Sequence, residues 1–194
     1  MADFLAENFW GWFVVWGIVV LTHSFQVSVI LRLYRQGVDR HYFYEAAPLL
    51  ASKLPEYTNT RLINPQSIRS FLIGCLIIGL TWHSKNLGMP APFLDGMLGA
   101  WFLPYLSVLA RHFRTFLLYY YARRSVGLSG RVEMSRWLGL RISAAEFVGW
   151  ATLWGILFLL LSQWFFFGGM LTCLIAASSH WRWSNKVKRK AEAA

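Results

Sequence analysis

Long apolar blocks separated by polar or strongly basic stretches are the dominant pattern along this chain. They follow neither the period of a half-buried strand nor the two-faced pattern of a soluble helix. Each approaches or exceeds the roughly 20 residues that a helix needs to cross hydrocarbon. The first runs from about residue 8 to 31, opening on Phe9-Trp10-Gly11-Trp12 and closing at Arg32, with Trp and Arg as interfacial anchors. Its second half carries Thr22, Ser24, Gln26 and Ser28, a polar strip suited to facing neighbouring helices. The second block spans about 65–83 and starts cleanly, with Asn64 as a cap and Pro65 in the first helical position. The third spans about 93–121 after Pro90-Ala91-Pro92, with Pro104 as a kink site. It is longer than a bilayer requires, so its end should project into water.

The last apolar stretch, 144–180, would make a single helix of about 50 Å against a hydrocarbon core of about 30 Å. Gln163 and Gly168-Gly169 interrupt it. The expectation is a fourth crossing at 144–162, a tight hairpin near Ser162–Gly169, and a candidate fifth crossing at 164–181. A fourth helix projecting from the membrane with a basic end is the alternative. The fold class is therefore all-α: a polytopic transmembrane helix bundle of four crossings plus that candidate fifth. The whole chain is one membrane domain, with a basic tail at 182–194. Between the first two blocks, residues 36–63 form a polar connection punctuated by Pro48 and Pro55, long enough to suggest a functional loop.

Charge sets the orientation. The net charge is +10, and its cations cluster in Arg32–Arg40, Arg111–Arg141 and Lys186–Lys190, next to apolar blocks. That placement follows the positive-inside rule, with anionic headgroups as counter-charge, and argues against nucleic acid as the partner. An outside or lumenal N-terminus and cytosolic basic loops satisfy the rule. The basic tail then also lies inside only if there are five crossings. Composition agrees: the chain is 56% hydrophobic and only 14% charged, well below the roughly 25% of a soluble domain. The acidic start, Met1–Glu7, and the length of the first block do not read as a cleavable signal peptide. Cys75 and Cys173 fall inside apolar blocks and read as packing thiols, not as a disulfide or metal site.

Arg111 is the most informative charge. With Ser107, Thr115 and Tyr119 it shares one helix face, each residue four from the next. At that depth a guanidinium either faces the bundle interior or snorkels to the interface.

Two stretches carry a family resemblance. Glu56, Arg61 and Asn64 precede Phe71-Leu72-Ile73, and Leu109-Ala110-Arg111-His112-Phe113-Arg114-Thr115 precede Tyr119-Tyr120-Tyr121-Ala122-Arg123-Arg124. With the long first loop, short outer turn and basic second loop, this resembles the superfamily of membrane-associated proteins in eicosanoid and glutathione metabolism. The resemblance covers roughly residues 8–162. It departs at Tyr57, Ser67 and Ser70, where the family commonly has Arg, a carboxylate and Pro, and the apolar stretch 164–180 is additional. It implies a homo-oligomer, typically a trimer, using glutathione in a transferase or peroxidase reaction on lipophilic substrates. On that implication Glu56, Arg61, Asn64 and Tyr119 hold glutathione, and Arg111, Arg124 or Arg131 stabilises its thiolate. A thiol of pKa near 8.5 needs such a cation to ionise at neutral pH.

Two further readings come from the residues themselves. High aromatic content, including 11 Trp, suits a non-catalytic accessory or lipid-binding subunit of a membrane complex. His23 and His112 fall at similar depth in the first and third blocks and are candidate axial ligands of a haem b in an electron-transfer subunit. No other His, Cys or carboxylate spacing reads as a metal site.

Overall fold

The computed structural model describes residues 9–35, 65–124 and 135–192; the side chains of 30–35, 66, 115 and 118–124 lie outside that description. Five helices account for nearly all of it: α1 (Phe9–Arg35), α2 (Pro65–Asn86), α3 (Ala91–Arg124), α4 (Arg136–Leu161) and α5 (Trp164–Glu192). No strand occurs among the described residues. Helices are what such a sequence must form, because hydrocarbon offers no partner to a backbone amide and a helix satisfies its own. Four of the five, α1 to α4, are long and apolar enough to cross a membrane.

Short turns set the antiparallel order. Asn86 leads into Leu87-Gly88, where Gly88 takes a φ of 77° that favours glycine, and α3 begins two residues after Met89. The α4–α5 turn is tighter still. Ser162 adopts the left-handed conformation at φ 51°, and its N–H bonds to the Phe158 carbonyl at 2.7 Å. Only Ser162 and Gln163 separate the two helices, so the hairpin expected near Ser162–Gly169 closes at the very start of that range. Most boundaries fall within about four residues of expectation, and two differ by eight or more. α4 begins at Arg136 instead of 144, because Trp137, Leu138 and Leu140 extend the apolar helix back through the basic residues. α5 runs on to Glu192, so the basic tail continues the helix.

α3 is the hub and the most buried of the four apolar helices. One face packs on α1 and α2 through a core of Trp16, Val19, Val20, Ile78, Leu98 and Phe102. Trp16 is completely buried and its indole N–H bonds to the Phe71 carbonyl at 3.1 Å. Gly74 makes room for it: a Cβ there would fall 2.0 Å from the indole nitrogen. The other face of α3 meets the α4–α5 hairpin, where Leu103 packs with Phe147, Ala151, Trp154, Cys173 and Ala177.

α3 and α5 run parallel and touch backbone to backbone. A Cβ on Gly168 would lie 1.9 Å from the Gly96 carbonyl oxygen, and one on Gly99 would lie 1.7 Å from that of Phe165. Small residues at such a seam let helices approach closely where no hydrophobic force between them exists in lipid. Outward, the bundle shows large apolar side chains: Leu159 and Leu160 on α4 are about three-quarters exposed, as lipid-facing residues are. The cations gather at the opposite end from the α4–α5 turn: Arg32 and Arg35 close α1, Arg123 and Arg124 close α3, Arg136 opens α4, and Lys186–Lys190 lie in the last turns of α5.

Candidate functional site

A buried polar layer lies across the bundle toward that basic end. α3 supplies Arg111, only 5% exposed, one turn beyond the fully buried Ser107. α4 supplies Ser143 and Glu146, three residues apart and hence on one face of the helix. α5 supplies His180. The guanidinium of Arg111 approaches Glu146 Oε2 through Nε at 2.9 Å and donates from Nη2 to Ser143 Oγ at 2.9 Å. Ser143, itself without exposed surface, shares a hydrogen bond of 2.8 Å with Nδ1 of His180. Arg114, nearly half exposed, takes the other carboxylate oxygen of Glu146. The Phe147 ring lies 5.2 Å from the Arg111 guanidinium carbon and meets the His180 ring edge-on at 5.4 Å.

Electrostatics explains the assembly. A lone guanidinium at this depth is costly, and partnering with a carboxylate plus a hydroxyl offsets much of that cost. Two guanidiniums around one carboxylate leave the cluster with one net positive charge, and half-exposed Arg114 is its contact with the interface. Of the two alternatives for Arg111, the interior one holds.

Below this layer an aromatic and cationic belt marks the interface. Arg141 lies between the rings of Trp137 and Trp181, at 5.3 and 5.0 Å, and donates to Asn185 at 3.4 Å. Lys188 sits 5.5 Å over Trp137, and Ser184 donates to the Trp137 carbonyl at 2.7 Å. Trp and Arg at one level read as headgroup depth.

A second polar contact joins α1, α2 and α3. Ser24 donates to Ser67 at 2.6 Å, and Tyr105 to Ser70 at 3.3 Å. Here His23 and His112 come into ring contact, centroids 5.1 Å apart and planes tilted by 31°. Of the polar strip on α1, Ser24 and Ser28 face neighbours as expected, whereas Thr22 is exposed.

The remaining candidates do not converge in the described residues. Glu56, Arg61, Asn64 and Arg131 lie outside them. Tyr119 and Arg124 are on the last turns of α3, where their side chains are not described. Arg124 is thirteen residues beyond Arg111, about 20 Å along a helix, so the two do not act at one depth. No group of three or more His, Cys, Asp or Glu residues suited to a metal ion occurs among the described residues. Sequence reasoning missed Ser143, Glu146 and His180. One signal was available: Glu146 is the sole acidic residue between Glu133 and Glu192, and an acid inside an apolar span demands a cation. Comparison with protein-family models, with curated proteins and with solved structures finds no match to this chain.

Proposed function

We propose that this chain is a non-catalytic, lipid-embedded accessory subunit of a membrane assembly, with its basic end in the cytosol against anionic headgroups. The observation that carries this reading is the commitment of Arg111 to Glu146, Ser143 and, through Ser143, His180. A guanidinium held that way ties three helices together and is not presented to a thiolate. The outward apolar faces of α1 and α4, and the Trp137–Arg141–Trp181 belt, are features of lipid contact and need no chemistry.

The glutathione-dependent transferase reading asks Arg111 to leave Glu146 for a thiolate, or asks Arg124 or Arg131 to take that part. One measurement separates the two. Detergent-solubilised protein is titrated with glutathione while thiolate absorbance is followed, in wild type and in Arg111→Ala. The accessory reading expects no saturable thiolate signal in either. A saturable signal in wild type would overturn it, and its loss in Arg111→Ala would assign the activating cation.

A further inference from the structure

Unlike Arg111, the guanidinium of Arg141 on α4 has no carboxylate. It is half-buried over the rings of Trp137 and Trp181, its bond to Asn185 is a long 3.4 Å, and its Nε has no hydrogen-bond partner. Lys188 leans on the same Trp137 ring. Its pairing with Glu192 at 3.5 Å is an exposed contact within one helix, of a kind worth little to stability. Exposed Arg182 reaches back to Ser178 at 3.3 Å. Three cations therefore occupy one flank of the α4–α5 pair, and exposed Glu192 is the one carboxylate paired with any of them among the described residues.

The same flank continues toward the hydrocarbon as a furrow. On α4, Trp137, Arg141, Ala145 and Val148 succeed one another at helical steps of three or four residues. On α5, Lys188, Asn185, Trp181, Ser178 and Leu174 do the same in the opposite direction. Directly beyond the cations come the small residues Ala145 and Ser178, both exposed, and then Val148 and Leu174, 48% and 44% exposed. A surface that begins in cations and runs on in small and apolar side chains follows the outline of a phospholipid, phosphate first and acyl chain after. It lies open along the outside of the bundle, so no helix has to move to admit one.

We propose that this flank holds one net-anionic glycerophospholipid, with its phosphate on Arg141, Lys188 and Arg182 and an acyl chain along Ala145 and Ser178. Stacking against two indoles holds the Arg141 guanidinium flat before the lipid arrives, which leaves little side-chain freedom to lose on binding. A zwitterionic choline headgroup brings its own cation to a cationic site, so net charge sets the selectivity. The site deepens the accessory reading and rests on its placing the basic end against anionic headgroups.

The test is native mass spectrometry of the full chain released from micelles after equilibration with phosphatidylglycerol and phosphatidylcholine of matched chains. One retained phosphatidylglycerol per chain is expected, in preference to phosphatidylcholine. Arg141→Gln should lower its occupancy by roughly tenfold, as loss of a charge-assisted bond does. Lys188→Gln should lower it about fivefold. Ala145→Phe fills the furrow at an exposed position, spares every cation and the core, and should also displace the lipid. Arg189→Gln, an exposed cation of the same helix outside the site, should leave retention unchanged. Equal retention of the two lipids, undiminished retention in both Arg141→Gln and Ala145→Phe, or full displacement by inorganic phosphate overturns the assignment. Any of these results leaves the Arg111 evidence for the accessory reading standing, whereas a saturable glutathione signal removes that reading with lipid retention unchanged.

Discussion

Arg111 illustrates how strongly one side chain depends on its partners here. Removing it leaves Glu146, 16% exposed, with Arg114 alone and leaves Ser143 without its donor. Arg111→Ala should destabilise the bundle by about 3–5 kcal/mol, the usual effect of breaking a buried pair, as read by denaturant unfolding in mixed micelles. The double variant Arg111→Met/Glu146→Leu should recover most of that loss, because it removes both desolvated charges together. If the double variant is no more stable than the single, the carboxylate is not the cause. The sequence made Arg111 legible as a deep charge, since a guanidinium within an apolar block is conspicuous. Ser143 and His180 were not legible. Their meeting depends on how α4 and α5 are offset, which a two-residue turn decides and no local pattern encodes. His23 and His112 were easier to pair, because depth along two crossings is a matter of counting residues.

Among the helices, packing quality is concentrated in a few glycines. Gly168 lets α5 lie against the α3 backbone, where a Cβ would come within 1.9 Å of the Gly96 oxygen and 2.8 Å of the Ala100 nitrogen. Neither atom is the end of a flexible side chain, so any substituent must push the helices apart. Gly168→Leu should lower stability by at least about 1–3 kcal/mol, the range for overpacking, whereas Gly79→Leu, with nothing within 4 Å of its added Cβ, should be close to neutral. Equal effects at the two positions would remove the seam from the account. The existence and type of the helices were readable because apolar length alone selects them. The ends were less so: α4 starts eight residues early and α5 extends to Glu192, since Trp and Arg side chains keep a helix going through the headgroup region. α5 falls short of the length-and-composition standard that α1 to α4 meet, but it packs along the length of α4.

For the molecule as a whole, that pairing fixes which ends share a side. The α4–α5 turn and the basic end of α5 lie at opposite ends of the bundle, so single cysteines introduced by Ser162→Cys and Ala191→Cys, in a Cys75→Ala/Cys173→Ala background, should be labelled from opposite sides of the membrane. Labelling of both from one side would mean that α5 does not cross. The same turn has a consequence for biogenesis. From Ala151 to Ser179 the chain carries no Asp, Glu, Lys or Arg. With the basic end in the cytosol, as proposed, delivering the last two helices to their positions requires only the tip around Ser162 and Gln163 to pass through hydrocarbon, while every cation of α5 stays on the side where it was synthesised. The final third of the protein can enter the bilayer sideways as a preformed hairpin, without a charged segment ever being translocated.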